Sequence, residues 1–147
     1  MDLFQVDDEA RLFISPAIDD WATLAEHKID VVIDMEGGLD QCIPTVPGSC
    51  LYVYFPIYDE ALPDPARLEA VALMGAHLIR SGHRVLSHCG MGFNRSALVA
   101  GCILHQLGGI SGSAVVERLR ERRPGALFND VFAGHLCALP PRNLALI

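Results

Sequence analysis

The sequence predicts an α/β fold, a central and mostly parallel mixed sheet of four or five strands flanked by helices. Short β-branched apolar runs alternate with longer stretches whose apolar residues recur at helical spacing. Gly and Pro fall at the junctions between them. The 147 residues, 51% of them hydrophobic, can bury one core and leave no room for a second domain. One domain over residues 1–147, with its core at about 10–138, is therefore expected.

The elements follow in order. Arg11 to Ile14 reads as a short strand, broken by Ser15-Pro16 before a helix that starts near Asp19 and carries Trp21, Leu24 and Ala25, with Trp21 assigned to the core. Ile29 to Met35 contains Val31, Val32 and Ile33, a run suited to a strand covered on both faces, and Gly37-Gly38 ends it. Pro44, Pro47 and Gly48 mark a loop, and Leu51 to Phe55 is the next strand. Asp64-Pro65 is a helix start, Asp64 as N-cap and Pro65 at the first helical position. Leu68, Val71, Leu78 and Ile79 share one face of that helix, which Ser81-Gly82 closes. Val85 to His88 is a short strand running into a glycine-bearing turn. Ser96 to Leu107 is apolar enough for a buried helix ended by Gly108-Gly109. Two helices follow, Ser113 to Arg122, stopped by Pro124, and one from Asn129 or Asp130 to about Ala138.

Composition narrows the partners. A formal charge of −7 disfavours a large nucleic-acid footprint or attraction to anionic membranes, while a small basic pocket can coexist with it. No apolar run reaches the length of a membrane span, and the N-terminus is acidic (Asp2, Asp7, Asp8, Glu9) where a leader would be basic and then apolar. Five cysteines at irregular spacing, with no C-x-x-C pair, predict no zinc site and a reducing, cytoplasmic setting. Cys42, Cys50, Cys102 and Cys137 read as small hydrophobes. His27, His77, His83, His105 and His135 lack ligand spacing, and the cluster Arg118, Arg120, Arg122 and Arg123, interleaved with Glu117 and Glu121, reads as a solvated helix face.

In α/β sheets ligands bind beyond the carboxyl ends of strands. The turn His88-Cys89-Gly90-Met91-Gly92-Phe93-Asn94-Arg95-Ser96 lies in that position. A loop closing onto a helix N-terminus can gather backbone N–H groups around one centre, and the helix dipole adds positive potential, which favours a phosphate. Gly90 and Gly92 allow positive φ and close backbone approach. The same field favours the thiolate of Cys89, a nucleophile that then needs no separate base. Arg95 can fork onto two phosphate oxygens, and Gly90, Met91, Gly92, Phe93 and Asn94 supply the rest of the binding loop. Ser96 can donate its hydroxyl to the sulfur, and His88 orients the loop by hydrogen bonding to backbone. A leaving alkoxide or phenoxide needs a proton donor. Asp59, Glu60 and Asp64 are the candidates, and Asp59 is preferred because Asp64 already serves as a cap and Glu60 reads as surface.

This segment matches H-C-x-x-G-x-x-R-S and resembles the loop of the dual-specificity phosphatases, a family of cysteine-dependent protein tyrosine phosphatases. A bare Cys and Arg at this spacing would occur by chance in roughly a third of such chains, whereas the full pattern falls well below about one in a thousand. The stretch Arg11 to Gly37 is similar to the start of that family, and Arg122-Arg123-Pro124-Gly125-Ala126-Leu127-Phe128-Asn129-Asp130-Val131-Phe132 looks like its R-P-x-x-x-x-N-x-x-F segment, with Asn129 supporting the phosphate loop. The resemblance implies a cofactor-free and metal-free, two-step reaction through a phosphocysteine on Cys89, with Asp59 as acid about thirty residues upstream. It implies phosphotyrosine and phosphoserine or phosphothreonine in proteins as substrates, with phosphate as product. Met91 stands where many members have Ala, which makes the loop rim bulkier and more apolar. Gly92-Phe93-Asn94-Arg95 is also similar to the loop of RNA 5′-triphosphatases, the enzymatic alternative, against which the acidic charge and Asp59 argue. Inositol-lipid phosphatases, with lysines in their loop, rank below that. A pseudophosphatase that binds phosphate without turnover is the alternative of another class.

Overall fold

In the computed structural model, which describes residues 1–142, five strands form one sheet in the order β1-β2-β5-β3-β4. The strands are β1 (Phe4–Gln5), β2 (Leu12–Ser15), β3 (Val31–Asp34), β4 (Leu51–Tyr54) and β5 (Val85–His88). β2, β5, β3 and β4 pair in parallel, with Ser15 and Asp34 both level with His88. Only β1, which was absent from the sequence reading, runs antiparallel, pairing Phe4 with Ile14 at the sheet edge. A two-residue strand carries too little periodicity to be read from sequence.

Both faces of the sheet are covered, as the unbroken apolar run of β3 requires. Alternation sends Phe13, Val32 and Leu86 to one side, where they meet Leu24 of α1 (Trp21–Glu26) and Ile29. Leu12, Ile14, Val31, Ile33 and Val85 point to the other, larger cluster. That cluster is closed by α2 (Pro65–Arg80), α3 (Arg95–Leu107), α4 (Gly112–Arg122) and α5 (Asp130–Cys137). α3 is buried on every side because it lies between the sheet and α2, α4 and α5, which accounts for its nearly continuous apolar sequence. A Cβ on Gly101 would stand 2.8 Å from Leu136, so the missing side chain sets how closely α5 approaches α3.

Several local expectations change. Trp21 is only partly buried, and its indole N–H donates to the Gln41 carbonyl at 2.7 Å, the wet position that an amphipathic ring favours. Asp64 precedes α2 without a side-chain cap bond and instead faces Arg67 at 3.6 Å. Pro65 opens the helix as expected, since the N–H it lacks is one that no helix bond uses. The buried stripe of α2 is Leu68, Ala72, Gly75, Ala76 and Ile79, with Val71 and Leu78 on its margin. Small residues replace the larger ones there because α3 packs directly onto them. Cys102 is buried, and burial pushes its thiol up to about 12, whereas Cys42 and Cys137 are exposed rather than packed.

Candidate active site

β5 delivers the chain from His88 to the turn over residues 89–94, and α3 begins at Arg95. The turn is braced from outside. The Gly90 carbonyl accepts the Ala17 N–H (3.2 Å), the Phe93 carbonyl accepts the Leu127 N–H (2.9 Å), and those of Met91 and Gly92 accept from Arg123 at 3.4 and 3.3 Å. A trans peptide directs its C=O and N–H to opposite sides, so four consecutive outward carbonyls turn the N–H groups of residues 91–94 inward. The sulfur of Cys89 lies on that inner side and accepts the Gly92 N–H at 3.3 Å. Ser96 Oγ is 3.4 Å from the same sulfur, and Cys89 is only 2% exposed, at the floor of the turn.

The two loop glycines serve different ends. Gly92 has φ +73°, and a Cβ there would meet Pro16 N at 2.7 Å and the Ser15 carbonyl carbon at 2.8 Å. Gly90, contrary to the sequence reading, does not take positive φ. Its missing Cβ makes room for the Glu36 carboxylate and for Arg95 Nη2, which would lie 3.4 Å away.

Arg95 is half framed by protein already. Its Nη2 bonds Glu36 Oε2 at 3.0 Å, and Nη1 donates to the Met35 and Ile57 carbonyls at 3.4 and 3.3 Å. Glu36 was not among the residues singled out from sequence. Its position just past the carboxyl end of β3, before Gly37-Gly38, is the signal that could have found it.

Asp59 is brought to the same place. Asn94 Nδ2 donates to one of its carboxylate oxygens at 2.9 Å and Asn129 Nδ2 to the other at 2.8 Å. Asn94 is the N-cap residue of α3, yet its side chain makes no cap bond; its Oδ1 accepts the Asn129 N–H at 2.9 Å instead. Asn129 uses its own Oδ1 to cap α5 at Val131 and Phe132 and donates also to the Glu60 carbonyl. The turn over residues 89–94, the Asp59 loop and the start of α5 thus share two amide side chains. Neither Glu60 nor Asp64 has its carboxylate in this set.

His88 is held differently from the expectation. Its Nε2 is 2.6 Å from Asp40 and 3.4 Å from Asp34, and Nδ1 has no partner, so carboxylates rather than backbone fix the ring. The Tyr52 hydroxyl bridges the Asp34 and Asp40 carboxylates and accepts the Asp40 N–H at 2.9 Å. Burial raises the Asp34 carboxyl above its ordinary range, against the opposing hydrogen bonds from Tyr52 and the Glu36 N–H. Burial and Asp34 likewise raise the Tyr52 phenol. Among the described residues Asp34, Asp40 and His88 are the group with ligand atoms close enough for a cation, within 4.8 Å of one another. The facing ligand atoms of all three are already engaged with one another and with Tyr52, so the arrangement reads as a hydrogen-bonded network behind the loop that leaves only His88 Nδ1 without a partner. An Asp inside an apolar strand was the sequence signal for it.

Arg123 is also moved out of the solvated face assigned to it. Its guanidinium lies 4.3 Å from the Phe4 ring centre and 3.9 Å from that of Phe93, while donating to the loop carbonyls. Arg120 bonds the Ala126 and Leu127 carbonyls, and Arg122 pairs with Asp8 at 2.7 Å.

No protein-family model matches the chain, and no curated protein does. Solved structures do match. Human DUSP28 is 25% identical with a TM-score of 0.77, covering 91% of this chain and 89% of its own. A mouse putative dual specificity phosphatase complexed with zinc tungstate is 25% identical with a TM-score of 0.75, over 91% of this chain and 83% of its own. DUSP15, at 19% identity and a TM-score of 0.76, shares the fold over 92% of this chain.

Proposed function

We propose that the chain, which is similar at 25% identity to solved dual-specificity phosphatase structures, is a cysteine-dependent phosphatase that hydrolyses phosphotyrosine and phosphoserine or phosphothreonine in proteins through a phosphocysteine on Cys89. The observation that carries this reading is the convergence of three groups on one turn: the Cys89 sulfur at its floor, Arg95 at its end, and Asp59 hydrogen-bonded to its residue Asn94. A nucleophile, an anion clamp and a proton donor are what phosphate ester cleavage requires.

In the first step the phosphate oxygens are received by the inward N–H groups of residues 91–94 and by Arg95. The sulfur forms the S–P bond in line with the breaking P–O bond, and Asp59 gives its proton to the leaving oxygen. In the second step water attacks phosphorus, Asp59 accepts a proton from it, and the Ser96 hydroxyl stabilises the departing thiolate. Glu36 sets the guanidinium of Arg95 beside the loop, and Asn94 and Asn129 set the carboxylate of Asp59; these three are positioning residues. Asp40, Asp34 and Tyr52 do the same for His88.

The RNA 5′-triphosphatase alternative is less well supported, since Asn94 of the shared Gly92-Phe93-Asn94-Arg95 run is committed to a carboxylate acid. Phosphate release from phosphotyrosine, phosphoserine and phosphothreonine peptides, triphosphate-ended RNA and inositol phosphates tests the reading. Turnover of the peptides is expected. Turnover confined to RNA or inositol phosphates would overturn it.

A further inference from the structure

The surface around the phosphate loop is apolar to a degree the reaction does not explain. Tyr58 is 84% exposed, Met91 67% and Phe128 66%. All three flank the machinery: Tyr58 precedes Asp59, Met91 belongs to the loop, and Phe128 precedes Asn129 and lies with its ring centre 6.0 Å from that of Phe93. Beside Tyr58 runs a groove of about 280 Å³ whose apolar lining includes Ile57, Leu62 and Pro63 and whose charged lining is Glu60, Asp64 and Arg67. The Ile57 carbonyl accepts from Arg95 at 3.3 Å, so the groove wall abuts the guanidinium that would hold phosphate. Large side chains left in water at such a place mark a contact surface.

The charges beside this surface select its occupant. Glu36 and Asp59 supply negative charge at the mouth, and Glu60 and Asp64 line the groove beside it. Of the cations, Arg95 is paired with Glu36, Arg67 of the groove faces Asp64 at 3.6 Å, and Arg123 lies against Phe4 and Phe93 behind the loop. A polyphosphate, an acidic peptide or an anionic membrane would meet repulsion there, and the chain's charge of −7 adds to it. An apolar segment would meet none.

We propose that Tyr58, Met91, Phe128 and the groove beside Ile57 dock large apolar side chains flanking the phosphorylated residue of a polypeptide substrate. The inference rests on the phosphatase reading and names the substrate class for the same site. Each flanking side chain that leaves water for this surface contributes to kcat/KM, on the order of tenfold for one half-buried leucine.

The test uses phosphotyrosine peptides of one length flanked by Leu, Ser or Glu, with p-nitrophenyl phosphate as a substrate too small to reach the rim. The Leu-flanked peptide is expected to exceed the Ser-flanked one by about tenfold in kcat/KM and the Glu-flanked one by more. Tyr58→Ser and Phe128→Ser should erode that preference while p-nitrophenyl phosphate turnover stays within about twofold. Equal turnover of the three peptides, a preference for Glu, a Leu preference untouched by both variants, or faster turnover of phosphorylated lipid in anionic vesicles would overturn the proposal. If p-nitrophenyl phosphate and all peptides resist hydrolysis, the phosphatase reading fails on its own. Fluorescence binding of the three peptides to the protein then still decides the docking surface by the same order of preference.

Discussion

Asparagine side chains carry much of this site's precision. Asn94 and Asn129 each donate a side-chain N–H to Asp59, which fixes both of its oxygens in place. Asp59→Asn should slow esters with poor leaving groups far more than activated phenols, because only the former need the proton. Asn94→Ala should shift the same ratio in the same direction by a smaller factor, about tenfold, with KM little changed. A uniform slowing across a series of aryl and alkyl phosphates would remove Asp59 from the acid role and Asn94 from positioning it. Arg95→Lys should lose most activity, since an ammonium can neither fork onto two phosphate oxygens nor span Glu36 and the Met35 and Ile57 carbonyls together. Stopped assays on p-nitrophenyl phosphate measure this directly.

At the scale of elements, the turn between β5 and α3 is shaped as much by what it leans on as by its own residues. Gly92→Ala would combine a left-handed φ with a Cβ driven into the Ser15-Pro16 backbone, which cannot yield as a side-chain tip can. Gly82→Ala carries similar φ strain in open space. Urea unfolding should therefore show a loss of about 1 kcal/mol for Gly82→Ala and roughly 3 kcal/mol or more for Gly92→Ala. The contrast also explains what was legible beforehand. Cys89, Gly92 and Arg95 announce themselves by spacing within nine residues, and Asp64-Pro65 and Gly108 mark the ends of α2 and α3 correctly. Glu36, Asp34, Asp40, Tyr52 and Arg123 act across the sheet or from a distant helix, and no local pattern encodes contacts spanning from twelve to fifty-nine residues. Asn94 was legible as a loop residue, but its bond to Asp59, thirty-five residues away, was not.

Over the whole molecule, the parallel strands β2, β5 and β3 place the ends of three chain segments at one edge, where Ser15, His88 and Asp34 stand level. Glu36, Asp59 and the Cys89 turn stand on the chain that leaves β3, β4 and β5 at that edge, Arg95 and Ser96 open α3, and Asn129 is brought in from the segment before α5. The buried ionisable groups of this interior make a prediction about alkaline stability. Cys102 holds its proton up to about 12 in the folded chain against an ordinary 9.0, so unfolded chains release a proton that folded ones keep. Below about pH 9 the group is neutral in both states and contributes nothing; above it, stability falls as pH rises. At about pH 10.5 the loss from this one thiol is on the order of 2 kcal/mol, and Cys102→Ala should lose correspondingly less between about pH 8 and 10.5 by thermal unfolding. The central claim remains chemical, that one sulfur on the floor of the braced turn carries the phosphoryl group. Turnover of p-nitrophenyl phosphate by Cys89→Ser, measured alongside its affinity for inorganic phosphate, tests it most directly. The account predicts no detectable turnover with phosphate binding retained through Arg95 and the loop amides; turnover near the parent rate would contradict it.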